Sequence, residues 1–106
     1  FLPQKMVHTI VLTQVKADRK SRTYSDYESV NAAIDSICQT FEKKLKELNP
    51  QLKNITYASE DLNNYIDSHA DMAALVYNNN TGEYTPHDKT WLKQQVYNHL
   101  RKQAGR

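Results

Sequence analysis

A chain of 106 residues has room for one folded domain and no second. At this length about two-thirds of the surface of the unfolded chain can be buried, enough for a core without disulfide or metal staples. Fourteen Lys and Arg against twelve Asp and Glu leave a net charge of +2, too small for the strongly basic face that tight nucleic-acid binding wants. The single cysteine, Cys38, excludes an internal disulfide and a multi-thiolate zinc site, and it points weakly to a reducing compartment. No apolar run approaches the roughly 20 residues of a membrane span, so no membrane partner is expected.

Residues 1–5 lack the apolar stretch of a secretory signal and precede Met6, which can serve as a natural start. They are expected to be foreign to the native chain, genuine upstream sequence being the alternative. The domain is expected over 6–103, with 104–106 as a tail. Val7 to Val15 reads as a strand whose two faces are both apolar: Ile10 and Leu12 point one way, Val11 and Val15 the other. Lys16 to Ser21 is a charged turn, after which Arg22 to Tyr24 can return as an antiparallel partner. Ser25 and Glu28 have capping-box spacing and predict a helix start. From there Tyr27, Val30, Ile34, Ile37, Cys38, Phe41, Leu45 and Leu48 form one apolar stripe. Asn49-Pro50 stops it.

Ile55 to Tyr57 reads as a short extended piece or a loop. Ser59 is the expected cap of a second helix, with Leu62, Tyr65, Ile66 and His69 inward. Met72 to Tyr77 is a second strand, again apolar on both faces. Asn78 to Gly82 is turn chemistry, Glu83 to Thr85 a hairpin arm ended by Pro86, and Asp88 the cap of a last helix carrying Trp91, Leu92, Val96 and Leu100. The order ββααββα predicts an α+β fold: a four-stranded antiparallel sheet with three amphipathic helices on one face.

Catalytic chemistry has little foothold. His8, His69, His87 and His99 are scattered over different elements, Cys38 lies on the apolar stripe as a core thiol, and one interior glycine, Gly82, cannot build a phosphate loop. No catalytic, cofactor or metal set is expected, and no enzyme. The lysines around 43–53 are interleaved with Glu42 and Glu47, as on a solvated helix face, so direct nucleic-acid binding is disfavoured. The two-faced strands say more. Three helices cover one side of a small sheet, and apolar residues on the other side need a partner, most simply a second copy. We expect a homodimer through Ile10, Leu12, Leu75 and Tyr77, the set of opposite parity remaining open.

The strings Met6 with His8-Thr9-Ile10, Arg22-Thr23-Tyr24 and Asp26-Tyr27-Glu28-Ser29-Val30-Asn31 resemble the enhancer of rudimentary homologue family. The likeness continues through Cys38, Asn49-Pro50, Ile55-Thr56-Tyr57, Ile66-Asp67, Ala70-Asp71, Leu75-Val76-Tyr77, Tyr84, Pro86, Trp91 and Leu100-Arg101, covering about 6–103. It implies a sheet-to-sheet homodimer. It also implies a non-enzymatic nuclear adaptor, with a cytoplasmic pool compatible, linked to transcription, the cell cycle, pyrimidine metabolism and RNA processing. Its partners would be short segments of larger RNA-associated and transcription proteins, such as a YTH-domain RNA-elimination factor or the RNA-binding subunit of the Microprocessor; a direct RNA-binding regulator is the alternative. The family's casein kinase II sites carry over to Thr23, which keeps Asp26 at +3. They do not carry over to Ser29, whose +3 residue is Ala32. A phosphate on Thr23 would disturb the dimer if that hydroxyl is buried. Asn63, Asn64, His87 and Met72-Ala73-Ala74 depart from the family pattern and weaken the transfer of any groove that uses them.

Overall fold

A computed structural model describes residues 7–51, 53 and 57–104. Residues 1–5, Ile55 and Thr56 of the expected Ile55–Tyr57 piece, and the last two residues of the tail lie outside them. The strands are β1 (Thr9–Gln14), β2 (Arg22–Tyr27), β3 (Asp71–Asn78) and β4 (Glu83–His87). The helices are α1 (Val30–Leu48), α2 (Ser59–Asp67) and α3 (Lys89–Ala104). All strand pairs are antiparallel, in the order β2-β1-β3-β4. The α+β architecture and the ββααββα order are those the sequence predicts.

The helices lie on one side of the sheet. α1 packs over β1 and β2, α3 over β3 and β4, and α2 against both helices. The core between the layers joins Val11, Met72 and Ala74 of the sheet to Ala33, Ile34, Ile37, Cys38 and Phe41 of α1, Leu62 and Ile66 of α2, and Leu92 and Val96 of α3. Thr9 also lies under the helices, fully buried, with its hydroxyl donating to the Val7 carbonyl at 3.1 Å. That bond removes the cost of an unpaired polar group in an apolar layer.

Two boundaries differ from expectation for a tertiary reason. β2 does not stop at Tyr24. Its pairing with β1 continues to Tyr27 opposite Thr9, so Ser25 and Glu28 cannot frame a helix start. Ser29 caps α1 instead, its hydroxyl accepting from the Ala32 amide at 3.1 Å. Tyr27 therefore reaches the core from the strand, its hydroxyl 2.9 Å from that of Ser36. Leu48, expected on the apolar stripe, is exposed because α1 outruns the sheet. At α2 the cap position is Ala58, one residue before Ser59, and Asp61 Oδ2 accepts the Ala58 amide at 2.8 Å.

The other local signals act as read. Asp88 Oδ1 accepts the Trp91 amide at 3.0 Å, at the start of α3. In the β3–β4 turn Gly82 sits at φ +74°, where a side chain would be strained, and its amide reaches the Asn78 carbonyl at 2.8 Å. β4 runs through Pro86 to His87 rather than ending at Thr85. As an outer strand it tolerates a residue without an amide donor.

Ser29→Ala is expected to cost about 1 kcal/mol in urea unfolding, as loss of an N-cap does. Ser25→Ala should stay within about 0.5 kcal/mol, as an exposed substitution away from any cap. Leu62→Ala, at the centre of the helix layer, should cost about 2–5 kcal/mol.

Candidate interaction face

Alternation along the strands assigns every sheet residue to a side. Thr9, Val11, Tyr27, Met72, Ala74 and Val76 face the helices. The other face carries Ile10 and Leu12 of β1, Tyr24 of β2, Ala73, Leu75 and Tyr77 of β3, and Tyr84 and Pro86 of β4. Register places them side by side: Ile10 lies opposite Leu75, Leu12 opposite Tyr24 and Ala73, Leu75 opposite Pro86, and Tyr77 opposite Tyr84. Ile10, Leu12, Leu75 and Tyr77 are thus brought together on the side away from the helices. Of the two parities the sequence left open, this is the one not already used by the core.

Among the described residues, no helix covers this face. Leu12 is 38% exposed, Tyr24 74% and Tyr84 41%. The tyrosines are arranged rather than scattered, since the Tyr77 and Tyr84 rings meet edge to face with centroids 5.4 Å apart. Polar groups close both ends. At one end Gln14, buried, accepts from Arg22 Nε at 2.7 Å and donates to the Lys16 and Ala17 carbonyls. At the other, the His8 ring bridges two strands: Nε2 is 3.1 Å from Asp26 Oδ2, and Nδ1 is 2.6 Å from the Tyr84 hydroxyl. The result is an apolar and aromatic field with a polar rim. The sequence reading missed His8, Asp26 and Tyr84. The shared parity of His8 with Ile10 was visible, but the register that brings residues 26 and 84 to it was not.

Thr23 lies on β2 with its side chain on the helix side of the sheet, exposed, its hydroxyl 2.7 Å from that of Thr13. The condition attached to a phosphate there, a buried hydroxyl, is not met. On the helix side a groove of about 230 Å³ opens between α1, α2 and the sheet, lined chiefly by Val11, Val15, Tyr27, Ile37, Tyr65 and Met72.

The remaining titratable groups have structural surroundings. Burial, with Glu42 and Asp35 adding to it, pushes the Cys38 thiol up to about 11, which is the behaviour of a packed thiol rather than a nucleophile. His69 is buried at the end of α2, with Nδ1 2.9 Å from the Tyr65 carbonyl, while its own carbonyl accepts from Lys89 Nζ at 2.6 Å. His87 stacks on Trp91 with centroids 4.1 Å apart, and burial holds its pKa below the usual imidazole value. Among the described residues, no group of three or more His, Cys, Asp or Glu side chains could hold a metal ion. No described helix is long and apolar enough to cross a membrane.

A one-sided helical layer over a four-stranded sheet, with its chemistry spent on packing, defines a small interaction domain. Comparison with known proteins gives the class its name. The family model described as Enhancer of rudimentary matches residues 5–106. The chain is 50% identical over 99 residues to the Enhancer of rudimentary homolog of Dictyostelium discoideum, covering 93% of this chain and 99% of that protein. It is 47% identical over 98 residues to the homolog of Arabidopsis thaliana, covering 92% and 90%. With the Protein enhancer of rudimentary of Drosophila virilis the identity is 42% over 99 residues, covering 93% and 95%. The chain belongs to the enhancer of rudimentary family, whose members are non-catalytic adaptors acting through protein–protein contacts.

Two pH effects follow. A thiol with a raised pKa favours the folded state below its unfolded value of 9.0, and that contribution is lost as pH rises toward about 11. Stability should therefore fall over that interval, less so in Cys38→Ala than in wild type once the variant's own cavity cost is subtracted, and iodoacetamide should label Cys38 at pH 8 only after unfolding. His87 has the opposite sign. Its lowered pKa supports the fold above about 6.5, and that support is lost as pH falls. A His87→Phe variant, which keeps a ring against Trp91, should lose less stability between neutral and mildly acidic pH than wild type, read by thermal unfolding.

Proposed function

We propose that this protein works as a homodimer formed through the helix-free face of its sheet. In this form it is a nuclear adaptor that holds two copies of a segment from RNA-processing or transcription proteins. The observation that carries the reading is the field of Ile10, Leu12, Tyr24, Leu75, Tyr77 and Tyr84 in one register-aligned patch that no described helix covers. Contiguous apolar surface of this kind is uncommon on monomers, and a two-fold pairing shields the same patch on both copies. The adaptor character comes with the family. The links to RNA processing, transcription, the cell cycle and pyrimidine metabolism come from the resemblance.

Pairing through this face leaves the other side of each protomer free. The groove beside α1 opens there, with Val15 54% exposed at its edge, and an apolar side chain of a disordered segment would find cover in it. Two such grooves on one dimer raise the avidity for a partner carrying two segments, or draw two partners together, without any new contact. Thr23, the kinase-site candidate, has Asp26 three residues on. Its hydroxyl stands on the helix side, so a phosphate of roughly −2 charge there would act on the groove side of β2 and not on the paired face.

Leu12→Asp and Leu75→Asp should each convert the dimer to a folded monomer in sedimentation velocity at low micromolar concentration, whereas Thr23→Glu should leave its mass unchanged. A wild-type chain that sediments as a monomer would defeat the reading. Affinity capture after nuclease treatment should retain protein partners. Loss of all partners with the RNA, together with salt-dependent RNA binding by the isolated chain, would favour direct RNA recognition.

A further inference from the structure

Two residues beyond Thr23, the exposed edge of β2 carries a hydroxyl better placed for modification. Ser25-Asp26-Tyr27-Glu28 sets one carboxylate directly after a serine and a second three residues after it. Thr23 has Asp26 at +3 but Tyr24 at +1, and Ser68 and Thr85, with an aspartate at +3, are followed by His69 and Pro86. The hydroxyls also differ in what they touch. That of Thr23 is 2.7 Å from the Thr13 hydroxyl, and that of Ser68 donates to the Tyr65 carbonyl at 2.6 Å. Ser25 is exposed, and its hydroxyl makes no hydrogen bond with a described residue.

β2 is an outer strand of the sheet, and Arg22 to Asp26 are exposed one after another. An extended strand with one open side can enter an enzyme cleft without disturbing the core. Glu28 lies just past the strand, exposed, with no ionic partner among the described residues. Arg22, the cation three residues before Ser25, gives its Nε to Gln14 at 2.7 Å, which withholds it from an enzyme that reads basic residues.

We propose that Ser25 is a phosphorylation site for an acid-directed serine/threonine kinase, and that its phosphate charges the mouth of the groove beside α1. The effect on partner segments rests on the groove reading above; the site itself does not. Basic groups of the kinase pair with Asp26 and Glu28. The Ser25 Oγ then attacks the γ-phosphorus of magnesium ATP. An Oγ–P bond forms as the bond from that phosphorus to the β,γ-bridging oxygen breaks, ADP leaves, and the hydroxyl proton passes to the carboxylate base of the kinase.

Strand alternation sets Ser25 on the helix side, opposite Val11, where it lines the groove of about 230 Å³ with Val11, Tyr27, Ser36, Ile37 and Thr40. Phosphoserine brings roughly −2 charge and three strong acceptor oxygens to that position. An apolar side chain entering the groove then strips water from a dianion, which is costly. A segment carrying Arg or Lys beside its apolar residue gains a charged partner instead. Modification thus changes which segments the groove accepts and leaves the helix-free face as it was.

The test incubates the full chain with casein kinase II and ATP, measures the initial rate of phosphate transfer, and locates the acceptor by fragment mass spectrometry. Wild type is expected to take phosphate at Ser25. Ser25→Ala should remove most of the transfer, and Thr23→Ala should keep it. Glu28→Gln should slow it roughly tenfold, the loss of one charge-assisted contact in the transition state. An unchanged rate in Ser25→Ala or in Glu28→Gln overturns the site, as does a wild-type chain that takes no phosphate while casein is modified alongside it. Methyl NMR of the phosphorylated chain places the charge: the Val11 and Ile37 signals should move more than those of Leu12 and Leu75, and the reverse order overturns the effect on the groove. Both readouts apply to monomer and dimer alike, so their failure is separate from failure of the dimer reading.

Discussion

Everything in this molecule follows from an imbalance between the two sides of one sheet. Three helices are enough to cover four strands once, and all three are committed to the same side. The sequence nevertheless places apolar side chains on both sides, since Val11, Met72 and Ala74 look toward the helices while Ile10, Leu12 and Leu75 look away. An antiparallel sheet with one wet side ordinarily alternates apolar with polar residues. Here the alternation is nearly absent in the two central strands, and the excess apolar surface lies on the side that the described helices leave open.

The packing of the covered side explains why that surface is well shaped. Leu62, Ile66, Leu92 and Val96 are fully buried between helices and sheet, and Thr9 and Ala74 are small enough to let the helices sit close. With one side fixed in this way, strand register sets the outer residues side by side. Gln14 with Arg22 at one end and His8 with Asp26 and Tyr84 at the other satisfy polar groups at its margins. The face thus has an apolar centre and a hydrogen-bonded border, the anatomy of a protein–protein contact.

The element order, both central strands, the β3–β4 turn at Gly82 and the Asp88 cap were legible in the sequence because each rests on local chemistry. The start of α1 was not. Ser25 with Glu28 and Ser29 are all plausible caps, and only the pairing of Tyr27 with Thr9, a contact across the β1–β2 hairpin, decides between them. The parity of the faces was hidden for a similar reason. Ile10 and Val11 are equally apolar, and what separates them is which one meets α1. The bridge from His8 to residues 26 and 84 lies beyond sequence reading, because it depends on the register of three strand pairs at once. The apolar candidates Ile10, Leu12, Leu75 and Tyr77 were found by pattern; that they share a side is a fact of the fold.

The outer strands add a last consequence. Among the described residues each ends the sheet with no further strand beside it, an invitation to lengthwise polymerisation. On β4 that invitation is blunted by Pro86, which offers no donor in mid-strand, and on β2 by the alternation of Arg22 and Asp26 with exposed polar residues. Fibre growth along the hydrogen-bonding direction is therefore discouraged, while stacking of one broad surface on its own copy is a closed operation that ends at two. The same proline that interrupts a ladder thereby limits how far copies of the chain could add edge to edge.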